Sequence, residues 1–252
     1  MSPRVLVTVL HRFCAASVAG AVVACGVVVP AAVAGAAIPV PRPDDAMVLT
    51  RAWAPVDDPA DPLVLVNKSR PISPRGWAPD DLVKPDVPAL GAHDRMRPRA
   101  ARALERLAAA ADDATGRELV LASAFRSMPD QRRLYARYVA GHGRRDADTF
   151  SARPGFSEHQ TGLAVDVAQS GTPYTRFGRT ETGRWVAKNA WRYGFVVRYP
   201  KGAADVTGYS PEPWHLRYVG PALTTRMHLA GITTLEEAFG VAPAPDYRRQ
   251  RP

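Results

Sequence analysis

Two short stretches of the chain hold residues that could do hydrolytic chemistry. The first runs Ser157-Glu158-His159-Gln160-Thr161-Gly162-Leu163-Ala164-Val165-Asp166, and the second is Glu212-Pro213-Trp214-His215. Gly162 permits a tight turn, so the chain can leave His159 and re-enter as a strand carrying Asp166 beside it. Asp166 stands between Val165 and Val167, where a lone carboxylate is costly to bury unless it is paired or bound to a metal. Two imidazoles and a carboxylate make a catalytic zinc site whose fourth position stays open for water. Glu212 would then be left over as the base that such water requires. The spacing alone leaves a second reading open, in which backbone donors satisfy Asp166 and the two histidines merely pack or hydrogen-bond. His93, His142 and His228 have no acidic or glycine-rich context that singles them out and read as surface or structural residues.

Cysteine usage narrows the ligand types. The only two, Cys14 and Cys25, lie in an N-terminal stretch where Arg4, His11 and Arg12 precede an uncharged run from Phe13 to Val40. That run ends in Ala32-Val33-Ala34 and Ala34-Gly35-Ala36, small-residue patterns that a signal peptidase prefers. Residues 1–36 are therefore expected to be a signal peptide, or else an uncleaved membrane anchor. Val22-Val23-Ala24-Cys25 also resembles a lipoprotein processing site. Each reading puts the domain outside the cytoplasm, and a cleaved chain would have no cysteine, so a metal would have to be held by His, Asp or Glu. The formal charge of +9 suits a polyanionic neighbour, and nucleic acid, anionic lipid or the anionic polymers of a bacterial wall would all qualify. The arginines are scattered rather than clustered, which argues against nucleic acid as the partner.

The elements that must position these residues are legible as short segments. Residues 37–62 are rich in Pro and Asp and read as a linker, and Leu63 to Asn67 as a first strand. A helix is expected from Arg99 to Ala111, with Pro98 in its first turn and Gly116 ending it. Leu119 to Ser123 reads as a buried strand, and Ser127 can cap a helix running to about Ala140. Residues 141–154 should be a loop. Strands are expected at Leu163–Val167, Phe195–Tyr199 and Trp214–Tyr218, and helices at Thr182–Tyr193, Pro221–Ala230 and, capped by Thr234, through Phe239. The tail 241–252 reads as basic and disordered. Few segments form regular βαβ repeats, so α+β is the expected class, a small antiparallel sheet with flanking helices.

At this point the sequence resembles the VanY-type D-alanyl-D-alanine carboxypeptidases, zinc peptidases of the hedgehog/DD-peptidase-like fold. Their signature S-x-H-x-x-G-x-A-x-D is matched from Ser157 to Asp166, and E-x-W-H from Glu212 to His215. Leu65-Val66-Asn67-Lys68 resembles the family's opening strand, and Ser123-Ala124-Phe125-Arg126-Ser127 through Gln131 its S-x-[YF]-R-S-x-x-x-Q segment. The stretch from Ala190 to Pro200 resembles the one preceding the second metal motif. The likeness spans about Leu63 to Phe239, within an expected domain of residues 63–240.

Carried over, the resemblance implies His159, Asp166 and His215 as ligands of one Zn2+ per chain, and Glu212 as the catalytic base. Arg126 would lie near the scissile carbonyl or the substrate's carboxylate end. Gln131 and Ser157 would contact the peptide end, Trp214 would pack behind the site, and Glu158 is assigned no role. The implied substrate is a peptidoglycan stem peptide ending in D-Ala-D-Ala. The implied location is extracytoplasmic, in the wall or on the outer face of a bacterial membrane, as a monomer. The same ligands would also serve an L,D-carboxypeptidase, an endopeptidase or a non-catalytic wall-binding module.

Overall fold

The computed structural model describes residues 53–247. The expected signal segment and most of the expected linker lie outside the described residues. Four strands form one antiparallel sheet: β1 (Leu119–Ser123), β2 (Ala164–Gln169), β3 (Phe195–Tyr199) and β4 (Glu212–Tyr218), in the order β1-β2-β4-β3. The helices are α1 (Pro98–Thr115), α2 (Met128–His142), the single turn α3 (Arg144–Ala147), α4 (Glu181–Asn189), the single turn α5 (Ala204–Thr207), α6 (Pro221–Ala230) and α7 (Leu235–Ala238). The α+β expectation holds.

Side-chain alternation divides the sheet into two unlike faces. On one face Leu121, Val165, Val167, Phe195 and Leu216 are buried against the alanine- and leucine-rich stripe of α1, which forms the main core. On the other face stand Asp166, Arg198, His215 and Arg217, all buried. A strand that is apolar on one side and charged on the other would normally turn its charges to water. Here the charges are covered, and that covered face holds the candidate site.

Register sets the chemistry side by side. Ser123 is opposite Asp166, Asp166 is opposite His215, and Tyr199 is opposite Glu212. Register shifts fall between Leu121 and Ser123 and between Val197 and Tyr199, next to these same residues. Irregularities of this kind re-aim side chains at a sheet's end.

The local signals read from the sequence mostly act as expected. Gly116 closes α1 in the left-handed conformation, and Ser127 caps α2 by accepting a hydrogen bond from the Asp130 backbone N–H. Thr234 caps α7 through the N–H of Glu237. Three expectations are corrected. Leu63–Asn67 is not a sheet strand; it is buried extended chain making isolated bridges, Val56 with Val64 and Asn67 with Arg70. The loop at 141–154 contains α3. The described part of the tail is packed: the Ala244 N–H donates to the Val206 carbonyl, and Tyr247 accepts from the Arg153 N–H. Within the expected linker, Pro59 is buried and Trp53 packs on a second, smaller core formed by Leu65, Leu223, Met227 and Leu235.

The turn that returns the chain from His159 to Asp166 depends on Gly162. It is left-handed (φ 68°), its N–H donates to the His159 carbonyl, and a Cβ there would lie 2.9 Å from Arg97 Cγ and 3.0 Å from Leu82 Cδ2. Gly162→Ala is therefore expected to destabilise the fold by about 1–3 kcal/mol, read as a lowered midpoint in urea unfolding.

Candidate active site

His159 enters from a single 3-10 turn (Glu158–Thr161), Asp166 from β2 and His215 from β4. One ligand atom from each lies within 4.8 Å of the others, and all three residues are buried. His159 Nε2 is 3.3 Å from Asp166 Oδ2, and His215 Nδ1 is 3.0 Å from Asp166 Oδ1. The two rings meet edge to face, with centroids 4.9 Å apart.

The hydrogen bonds around the rings fix which nitrogen faces inward. His159 Nδ1 is 2.7 Å from the Ala124 carbonyl. A carbonyl only accepts, so Nδ1 carries the proton and Nε2 presents its lone pair to Asp166. His215 Nε2 is 3.4 Å from Glu158 Oε2. Glu158 stays ionised: burial alone would raise its carboxyl, but Arg198 and Arg217 hold it well below the usual range. Both His215 nitrogens thus face ionised carboxylates, Nε2 outward to Glu158 and Nδ1 inward to Asp166. Both imidazoles are thus oriented by outer partners in the way metal-binding histidines are. A buried N, N, O donor set gathered within 4.8 Å fits a zinc ion.

Protonation follows the same geometry. Burial pushes His159 below its ordinary value, against the pull of Asp166. Burial would also raise Asp166, but the two histidines hold it well below the carboxylate range. Burial likewise disfavours charged His215, yet Asp166 and Glu158 outweigh it and push its pKa up to about 9. A cation drawn to Asp166 competes with that proton for Nδ1.

Glu212 stands at the start of β4 with Oε2 3.8 Å from His215 Nδ1. Burial first, and the nearby Asp166 charge second, push its carboxyl up to about 8, with His215 opposing. Arg126 follows β1 and reaches the same cavity, of about 280 Å³. Its Nη2 lies 3.9 Å from Asp166 Oδ2 and donates to Ser123 Oγ at 3.0 Å, while Nη1 donates to Gln131 Oε1 at 2.8 Å.

All seven residues singled out in the sequence (Arg126, Gln131, Ser157, His159, Asp166, Glu212 and His215) line this one cavity. Two of the finer expectations change. The Gln131 amide is engaged at both ends, accepting from Arg126 and donating to the Ala152 carbonyl at 2.7 Å, so it holds Arg126 to the cavity wall. Trp214 does not only pack behind the site; it borders the cavity, with its ring edge to face with Tyr174, centroids 5.4 Å apart.

Sequence reasoning missed the role of Glu158, whose side chain points under the site rather than away. Its Oε1 accepts from Arg198 Nε and from Arg217 Nη1, each at 2.9 Å. Arg198 also forms a bidentate pair with Glu236, at 2.9 and 2.7 Å. Arg217 Nη2 donates to the Val64 carbonyl at 2.6 Å. The available signal was Arg198 and Arg217 at alternating positions of otherwise apolar strands.

Comparison with known proteins adds to this geometry. The model of the family described as "VanY: D-alanyl-D-alanine carboxypeptidase" matches residues 93–221. YodJ of Bacillus subtilis strain 168, a protein named as a carboxypeptidase, is 40% identical over 192 residues, covering 73% of this chain and 69% of that one. The structure of the LdcB LD-carboxypeptidase superposes with a TM-score of 0.67 at 40% identity, covering 73% of this chain and 88% of that chain. A Zn(II) complex of the vancomycin-resistance D,D-pentapeptidase VanY from a VanB-type cassette gives a TM-score of 0.59 at 33% identity, covering 69% and 97%.

The buried ion network predicts an acid limit. Burial alone would raise the carboxyls of Glu158 and Glu236, but the arginines hold both below their ordinary 4.5. The unfolded chain binds those protons more readily, so the stabilisation is complete above about pH 4.5 and is lost as the pH falls below it. Glu236→Gln should cost about 3 kcal/mol at neutral pH and flatten the fall in thermal midpoint between about pH 4.5 and pH 3. An unchanged acid slope in that variant would refute the assignment.

Proposed function

The chain belongs to the VanY family of D-alanyl-D-alanine carboxypeptidases, and from that premise we propose that it hydrolyses the terminal D-Ala-D-Ala bond of peptidoglycan stem peptides. The proposal assigns one zinc ion per chain to His159, Asp166 and His215. The observation that carries it is the gathering of these three buried ligands' atoms within 4.8 Å, with Glu212 lining the same cavity. When bound, zinc supplies a Lewis acid that polarises the scissile carbonyl and lowers the pKa of a bound water.

The protein's own groups do the rest. Glu212, its carboxyl pushed up to about 8, has a proton affinity suited to taking a proton from water near neutral pH and returning it to the leaving amine. Arg126, braced by Ser123 and Gln131, presents a fixed guanidinium to the carbonyl oxygen as charge develops there. Ser157 lies buried in the wall of the same cavity and is assigned to the peptide end. Glu158 accepts from His215 Nε2 and so holds the ring with Nδ1 inward.

The N-terminal run Phe13–Val40 supports export, with the domain acting outside the cytoplasmic membrane of a bacterium. The likeness to LdcB favours a second reading, in which the same site cleaves an L,D bond. Both are tested by one assay. The protein is incubated with zinc and muramyl peptides ending in D-Ala-D-Ala or in a single D-Ala, and the released amino acid is followed. Release of D-Ala from the pentapeptide supports the D,D reading, whereas release only from the tetrapeptide moves the assignment to the L,D bond.

Two substitutions separate the roles. Glu212→Ala should lower kcat by about 10²- to 10⁴-fold while zinc titrated calorimetrically still binds at one per chain; His159→Ala should lose that binding. Arg126→Lys should lower kcat by about 10²-fold with little change in KM. A rise in KM alone would instead place Arg126 on the substrate's carboxylate end.

A further inference from the structure

A second cavity, of about 360 Å³, adjoins the first and shares Arg126, Leu134, Tyr138, Asp166 and Tyr174 with it. Its outer wall is different in kind. Where the first cavity ends in buried Gln131, Ser151, Ser157 and Tyr209, the second opens over exposed His93, Arg133 and Arg137. Arg133, Leu134, Arg137 and Tyr138 line it from one face of α2, as the spacing of a helix requires.

The carboxylates that border this cavity are already committed. Asp130 accepts from Ser127 Oγ at 2.5 Å and pairs with Arg133, and Asp166 is held by the two histidines and Arg126. Among the described residues Arg137 has no carboxylate within ion-pair reach, so the wall keeps a positive charge with no internal partner. The first cavity, walled by buried side chains, suits a short leaving residue, and the second, bordered by exposed cations, suits the longer peptidyl side.

Resting on the carboxypeptidase reading above, we propose that this second cavity is the acyl-side subsite, and that Arg137 with Arg133 selects substrates bearing a free carboxylate on the peptidyl side of the cleaved bond. A guanidinium on a helix face can pair bidentately with such a group, and gives little to the uncharged carboxamide of the same shape.

The test uses the zinc-loaded chain and two peptides, N-acetyl-Glu-D-Ala-D-Ala and N-acetyl-Gln-D-Ala-D-Ala, which differ only in that charge. The quantity read is the ratio of their kcat/KM values. The wild type is expected to favour the Glu peptide by about twofold to fivefold, the size of exposed ion pairs, through KM, with the preference shrinking as salt rises. Arg137→Gln should bring the ratio close to one. Arg145→Gln, an exposed arginine on α3 lining neither cavity, should keep the wild-type ratio. A wild-type ratio of one, or one unmoved in Arg137→Gln, would overturn the subsite while leaving the reaction intact. Failure to cleave either peptide or any D-Ala-D-Ala substrate would overturn the reaction itself, and this inference with it.

Discussion

Arg198 and Arg217 are among the largest fully buried side chains of the described domain, and both stand on the sheet face that carries the candidate ligands. Two guanidinium groups cannot be taken out of water without compensating charge and a full set of acceptors. Glu158 and Glu236 supply the charge, and the carbonyls of Pro62, Val64 and Tyr218 accept three more of the Arg217 protons. That requirement draws together parts of the chain far apart in sequence: the extended segment before α1, the 3-10 turn, β3, β4 and α7. Breaking one partner of such a network is costly because it leaves an unpaired charge in the interior. The network therefore restricts how the 3-10 turn can sit on the sheet, and that turn carries His159.

The same network bears on the chemistry through one residue. Glu158 faces Arg198 and Arg217 with Oε1 and His215 with Oε2. Because the arginines keep it ionised, it acts as an acceptor for His215 Nε2–H and so turns Nδ1 towards Asp166. His159 has its own acceptor in the Ala124 carbonyl at the irregular end of β1. The two imidazoles are thus aimed from opposite sides, one by the ion network and one by backbone. Glu212, by contrast, has no buried cation paired to it as closely as Glu158 has, and its proton affinity rises where that of Glu158 falls. Two glutamates in one buried region are driven apart by their neighbours, the arrangement expected where one orients and the other exchanges protons.

How much of this was legible in the sequence depended on how local each signal was. Pro98, Gly116, Ser127 and Thr234 set helix ends through contacts a few residues away, and they placed α1, α2 and α7 closely. β3 and α6 were read to the residue because turn residues bound them on both sides. Leu63–Asn67 has the apolar character of a strand without a partner to pair along; its burial comes from packing and from carbonyls lent to Arg217, which no local pattern encodes. The tail at Ala244–Tyr247 looked disordered for the same reason. Its order rests on contacts with Val206, Arg153, Lys68 and Phe156, all remote in the chain.

The candidate site shows the same division. His159, Asp166, His215 and Glu212 could be singled out because their residue types are few and their spacing is short, and Gly162 explained how two of them could meet. The purpose of Glu158 could not be read, since an acidic residue next to a histidine is compatible with either a solvated or a buried side chain. Only the alternation of β3 and β4 distinguishes these cases. Arg198 stands between Val197 and Tyr199, and Arg217 between Leu216 and Tyr218, so each faces away from the apolar core. If that opposite face is also covered, the two arginines demand buried acids. The sequence offers few acids near enough to the ligand motif to answer, and Glu158, already at the edge of that motif, is the one whose placement also leaves a carboxylate oxygen for His215.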